Sequence, residues 1–293
     1  MKLLHVSDLH LEDGFAGVPR RLFANKRFAG YLNLRLKRRR HFAEAAKKVA
    51  LLAELARAER VDAVLCSGDY TALGTGPEIA YARTAVQVLV DASPAFTTVP
   101  GNHDVYLPDA LGMFEREFGE LMLSDLPSYA VDGPYPHVRL LGDHVAVASV
   151  NSARPNPPVT RSSGRIPDAQ LVALGRVLAN ERVRDRFVFV MTHYAARLWN
   201  GKPDSRSHGL DNADAFLAAC AGLRRGALVH GHVHRCYRVR VPECPVPLFS
   251  AGSSTQAHGE GLWLYDVGPE HASARQGRFE GGRYVLSDES VEL

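Results

Sequence analysis

Residues 2–11 read Lys-Leu-Leu-His-Val-Ser-Asp-Leu-His-Leu, an apolar run of strand composition that breaks at Ser7 and places Asp8 and His10 just past its end. Taken alone, an Asp and a His bracketing a leucine read as a turn. The same event recurs along the chain, however. Ala63 to Cys66 leads into Gly68-Asp69, and Phe96 to Val99 into Gly101-Asn102-His103-Asp104. Phe187 to Met191 leads into His193, and Ala227 to Val229 into His230-Gly231-His232-Val233-His234. Gly101 to Asp104 alone could be a hairpin turn. Together, five strands carry ligand-type side chains to one edge, where the loops of an α/β sheet converge on a site.

Outward from these blocks, further strands are expected at Val138 to Leu141 and Val145 to Val150. A later group, Cys236 to Val241, Leu248 to Ser250 and Leu262 to Tyr265, is spaced like antiparallel strands closing the fold. Helices are expected over Phe42 to Arg60, where Phe42, Val49, Leu52 and Ala56 recur at helical spacing, and over Pro77 to Val90 and Pro167 to Leu178, each opening on proline. Strands alternating with helices predict an α/β protein. The chain of 293 residues is read as a single domain, 1–293, interrupted by a basic amphipathic insertion at about 20–41.

No apolar run approaches the roughly 20 residues that span a bilayer, and the four cysteines form no CxxC pair. The expectation is a cytoplasmic protein with reduced thiols. The net charge of +3 hides an asymmetry. Arg20 to Arg40 holds nine Lys or Arg and no acid, and removing nine from 35 leaves 26 basic against 32 acidic residues, or −6, for the rest. Leu22, Phe23, Phe28, Tyr31, Leu32 and Leu36 interleave with those cations, the composition of an element lying on an anionic membrane surface. A solvated loop or helix, and a nucleic-acid grip, are the other readings of this segment.

Carboxylate, amide and imidazole without thiolate suit manganese, iron, cobalt or zinc. Two such ions some 3.5–4 Å apart can activate water and stabilise the oxygens of a phosphoryl transfer. The order DxH, GD, GNHD, H, GHxH, complete here from Asp8 to His234, resembles the calcineurin-like metallophosphoesterases. The resemblance implies a four-layer αββα sandwich of two mixed sheets flanked by helices. It also implies a two-metal centre: Asp8, His10 and His234 on one ion, Asn102, His193 and His232 on the other, and Asp69 between them. His103 would assist the leaving group with Asp104 orienting its ring, and a bridging hydroxide would attack a phosphodiester or pyrophosphate.

His230 and Cys66 are read as structural, and Gly74-Thr75-Gly76 as a plain turn. Within the family, Asp8-Leu9-His10-Leu11 is similar to the opening of enzymes that cleave UDP-diacylglucosamine at the membrane, which suggests a lipid-linked nucleotide as substrate. Asn151-Ser152 and Gly164 to Leu174 resemble class III cyclic nucleotide phosphodiesterases instead. A repair nuclease and a non-catalytic metal-binding scaffold are also compatible with these motifs. Many members of that phosphodiesterase subgroup carry a second histidine and a proline after the strand corresponding to Phe187 to Met191, where Tyr194 and Ala195 follow His193 here.

Overall fold

Leu3, Leu4 and Val6 have no exposed surface, because their strand lies inside a sheet rather than at its edge. A computed structural model describes residues 1–12, 26–156 and 158–293. Its strands, in chain order, are β1 (Lys2–Val6), β2 (Ala63–Cys66), β3 (Ala95–Thr98), β4 (His137–Leu141), β5 (Val145–Ser149), β6 (Phe187–Met191), β7 (Gly226–His230), β8 (Cys236–Val239), β9 (Leu248–Ala251), β10 (Leu262–Val267), β11 (Ala272–Glu280) and β12 (Arg283–Glu292). They form two six-stranded sheets of order β12-β11-β10-β1-β2-β3 and β4-β5-β6-β7-β9-β8. Both sheets are mixed. β1, β2 and β3 run parallel, with β10 antiparallel to β1; β5, β6, β7 and β9 run parallel, with β4 and β8 antiparallel at the edges.

The period of two in the strands divides the core. Val145 and Val147, Phe187 and Phe189, and Ala227 and Val229 join the cluster shared with the first sheet. Their neighbours Ala146, Ala148, Val188, Val190 and Leu228 join a second cluster with the helices α6 (Asp168–Ala179) and α7 (Ala213–Ala219). On the far side of the first sheet, Val49, Leu52 and Ala56 of α3 (Ala45–Ala58) and Ile79, Ala82 and Val86 of α4 (Gly76–Val90) pack into the shared cluster. This is the expected layering of helix, sheet, sheet, helix.

Differences from the sequence reading have local causes. Phe42 belongs to a separate short helix, Arg39–Phe42, and α3 starts at Ala45. The last strands are not one antiparallel group: β9 runs parallel to β7, while β10 crosses to the first sheet against β1. β11 and β12 escape sequence reading because a polar outer hairpin lacks the apolar runs that mark the inner strands. The helices at Ala110–Phe118 and Ala213–Ala219 are likewise additions made by the structure, and the basic segment is helical over Lys26–Asn33. Glu78, at N3 of α4, caps the start of that helix with Thr75 and accepts from the backbone of Ala72 and Leu73. Thr75 and Glu78 thus form a capping box at the start of α4.

Arg20 and Arg21 lie outside the described residues. Lys26 and Arg27 are buried and do not face a partner. Lys26 Nζ donates to the carbonyls of Asn156 (2.7 Å) and Arg161 (2.9 Å). Arg27 forks onto Asp109 and donates to the carbonyls of Leu73 and Gly74. Phe28, Leu32 and Leu36, spaced by four residues, are exposed, as are Arg35 and Arg40. Among the described residues no helix is long and apolar enough to cross a membrane, and no two cysteines are bridged.

Candidate metal centre

The first two motif loops continue the pairing of their strands: the Asp8 N–H donates to the Gly68 carbonyl (2.9 Å) and the His10 N–H to the Asp69 carbonyl (3.0 Å). To turn their side chains inward they leave ordinary backbone space. Asp8, His10, Asp69, His232 and His234 all have positive φ, from 43° to 71°, and make up five of the seven non-glycine residues in that region among the described residues. Left-handed backbone at a non-glycine residue costs on the order of 1–3 kcal/mol and collects at functional sites. The motif glycines serve close approach. A Cβ on Gly101 would strike the Asp69 carboxylate, and one on Gly231 would strike Ser7 Oγ and the Asp8 carboxylate.

All seven residues expected as ligands meet at this edge. Asp8, His10, Asp69 and His234 form one group of mutually close donor atoms, with His234 Nε2 3.1 Å from Asp8 Oδ1 and 3.2 Å from His10 Nε2. Asn102 Oδ1 lies 3.1 Å from His193 Nε2 and 2.8 Å from His232 Nδ1, which makes a second group. Asp69 Oδ2 stands between the two, 3.9 Å from His10 Nε2 and 3.5 Å from His193 Nε2.

This donor set fits divalent metal. Asp8 Oδ1 is buried and accepts no hydrogen bond among the described residues, although His234 Nε2 stands only 3.1 Å away, an arrangement costly for a carboxylate oxygen unless a cation is intended there. Burial pushes the Asp69 carboxyl up, but the imidazoles of His193, His103 and His10 outweigh it and hold it well below the usual range. Burial likewise disfavours the charged form of His193, and Asp69 overrides it, raising the imidazole to about 9. The electrostatics of the pair thus demand positive charge, whether proton or metal.

The outer nitrogens of the four histidines are all held, which fixes ring orientation. His10 Nδ1 meets the Thr71 carbonyl (2.9 Å), His193 Nδ1 the Ser67 carbonyl (2.7 Å), His232 Nε2 the His208 carbonyl (2.9 Å) and His234 Nδ1 the Gln256 Oε1 (2.5 Å). Ser253 Oγ donates to the Asp8 carbonyl (2.7 Å) and Thr255 Oγ1 to the Leu9 carbonyl (2.7 Å). Ser253 falls in the Phe249 to Ser254 stretch that resembles the family's strand and turn after GHxH, whereas Thr255 and Gln256 carry no motif and sequence reasoning does not find them. Replacing Gln256 by alanine frees the His234 ring and is expected to weaken metal affinity roughly 10- to 100-fold, as measured by competition with a chromophoric chelator.

Asp104 does not orient His103. Its carboxylate accepts from the backbone of Gly101, Asp69, Tyr70 and Thr71 and from Thr71 Oγ1, so it stitches two motif loops together. Burial and the nearby Asp69 push it up, whereas five donors and no acceptor favour the ionised form. The ring of His103 is instead held through Nδ1 by the Ala72 carbonyl (2.6 Å), and it stands edge-on to His10 and stacked on Tyr106. His230 is buried against Tyr237, and burial lowers it to about 4, which leaves it neutral and structural. Cys66 is a buried strand residue with its thiol pushed up to about 12, chiefly by burial.

A cavity of about 470 Å³ opens over the centre, lined by Asp69, Asn102, His103, His232 and His234 on its floor and by Leu198, Trp199, Asp204 and His208 on one wall. His208 stacks on His232 at 4.1 Å and bonds Asp204 through Nδ1 at 2.6 Å. That pair has no spacing signature and is also beyond sequence reasoning.

Two carboxylates, an amide and four imidazoles converge under an open cavity, with Asp69 between the two groups, a donor set that suits a metal-dependent hydrolase. Residues 1–236 match the family described as calcineurin-like phosphoesterase, and the chain belongs to that family of metal-dependent phosphoester hydrolases. Comparison with curated protein sequences returns no match. Among solved structures, a dimetal phosphatase from Danio rerio is similar over 98% of both chains at 15% identity, with a TM-score of 0.67. The purple acid phosphatase PPD1 from yellow lupin is similar over 98% of this chain and 52% of its own, at 9% identity and a TM-score of 0.59. TT1561 of Thermus thermophilus covers 90% of this chain and 93% of its own at 12% identity, with a TM-score of 0.50. At these identities the likeness is one of fold.

Proposed function

We propose that the protein hydrolyses a phosphodiester or pyrophosphate bond of a lipid-linked nucleotide at an anionic membrane surface. Asp8, His10 and His234 would hold one divalent ion, and Asn102, His193 and His232 the other, with Asp69 shared. Such ions supply Lewis-acid polarisation of the phosphoryl oxygens and acidify water. The chain's own contribution is at His103: its Nδ1 is committed to the Ala72 carbonyl, so Nε2 is the atom that would give a proton to the leaving oxygen.

The observation that carries the membrane reading is where the basic segment sits. At one end Lys26 lies over the ring of Tyr106, which stacks on His103. At the other, Phe42 packs edge-on against His10. Between these anchors the exposed stripe of Phe28, Leu32 and Leu36 runs beside exposed Arg35 and Arg40. Each cation near an anionic surface contributes about 1 kcal/mol, and inserted apolar side chains add to it.

Replacing Phe28, Leu32 and Leu36 together by serine is expected to cut binding to vesicles containing phosphatidylglycerol by roughly tenfold or more. Turnover of a small soluble ester should stay within about twofold, because all three side chains face solvent. Unchanged sedimentation with the vesicles would remove the membrane from the proposal. Substrate class is tested by manganese-supported turnover of UDP-diacylglucosamine in mixed micelles beside cyclic AMP, where preference for cyclic AMP favours a soluble phosphodiesterase. Asn151 does not argue for that alternative. It is buried, its amide oxygen accepts from the Ala153 N–H and its backbone N–H donates to Gln170 Oε1, so Asn151 and Gln170 hold loop backbone.

A further inference from the structure

Trp199 is the large aromatic of the cavity wall, and 44% of it is exposed. Exposure of this size on an indole normally costs stability, so the way it is held is informative. It rides a tight turn closed by the Leu198 N–H to the Lys202 carbonyl (2.8 Å) and the Gly201 N–H to the Leu198 carbonyl (2.9 Å). Gly201, at φ 76°, supplies the left-handed residue that the turn requires. The Arg235 guanidinium covers one face of the ring, 4.3 Å from its centroid, and Tyr237 meets it edge-on at 6.4 Å. Arg235 follows the candidate ligand His234 directly, so the brace ties the indole to the metal loop. Arg235 covers one face of the ring only, and the indole, still 44% exposed, lines the cavity.

We propose that Trp199, braced by Arg235, is the specificity-determining platform on which a nucleobase of the substrate stacks while its phosphate sits over the metal ligands. The inference rests on the nucleotide reading of the substrate and adds the residue that recognises the base. A base fits better than an acyl chain, because the same cavity presents Ser162, Asp204 and His208 beside the indole, polar groups that suit a base edge or a sugar and would be wasted on hydrocarbon. A cavity of about 470 Å³ is in the range of small-molecule sites. Base-on-aromatic stacking tolerates any base, so this platform selects nucleotides as a class.

The chain has two tryptophans. Trp263 is buried with its indole N–H on the Ser250 carbonyl, so ligand-induced quenching of fluorescence reports on Trp199. The probes are uridine 5′-monophosphate and ribose 5-phosphate, added to the metal-loaded protein, with calorimetry in parallel. Quenching by the nucleotide alone is expected, together with binding of the nucleotide roughly 5- to 150-fold tighter than of the sugar phosphate. Trp199→Ala should erase that preference and Trp199→Tyr should keep it. Equal affinities with no quenching overturn the platform and leave the phosphoester site standing. Failure of both probes to bind overturns the phosphoester site as well.

Discussion

Replacing Asp69 by asparagine is expected to lower turnover by about 10³-fold or more and to bring bound metal below two equivalents per chain. Removing a shared charged ligand forfeits several kcal/mol of transition-state stabilisation, and each 1.4 kcal/mol is about tenfold. The asparagine has no good orientation. Asp69 Oδ1 accepts the His103 N–H (2.8 Å), while Oδ2 faces His193 and His10. If the amide oxygen keeps the first contact, its NH2 points at the imidazoles or at the ions they hold; turned over, it confronts the His103 N–H with another donor. Elemental analysis of the purified variant beside its turnover number tests this. Two equivalents of metal with undiminished turnover would sink the assignment of Asp69 as the shared ligand.

The second large effect is expected at His103. Truncation to alanine should reduce turnover roughly 10²- to 10⁴-fold while leaving metal content unchanged, because the bond that Asp69 needs from this residue comes from its backbone N–H. The ring is not among the seven converging donors; its Nδ1 is spent on the Ala72 carbonyl. Esters with poor leaving groups should lose the most and nitrophenyl esters the least, since only the former need a proton as the bond breaks. A variant that loses metal along with activity would make His103 structural.

The candidate ligands are legible in the sequence because each is coded locally: a short apolar strand, then a glycine or a break, then the donor, as in Gly68-Asp69 or Gly231-His232. The strand ends follow from the same apolar runs, whereas the four layers are implied by the family resemblance. What encloses the donors is not legible, because it depends on contacts far apart in the chain. Gln256 holds His234, and the Ala72 carbonyl holds His103, yet neither is distinguishable in sequence from any other glutamine or carbonyl. Asp104 shows the hazard of proximity along the chain. Its place beside His103 suggests a partner for that ring, whereas its short side chain points back into five donors of the two loops. The basic segment misleads in a similar way. Counting charges cannot reveal that Lys26 and Arg27 are internal fasteners.

The placement of β10 between β1 and the closing hairpin has a bearing on how the enzyme matures in the cell. The family match ends at residue 236, but the loop carrying Asp8 and His10 is secured by Ser253, Ser254 and Thr255, and β1 acquires its second neighbour only from residues 262–267. While the ribosome is still adding those residues, at about 5–20 per second, the first-made motif waits without its hydroxyl clasps. Full capture of metal is therefore expected to follow synthesis of the closing strands, because a nascent fragment that stops at the last histidine pair has every named ligand but lacks the hydroxyl contacts on the Asp8 loop and the Gln256 contact on His234.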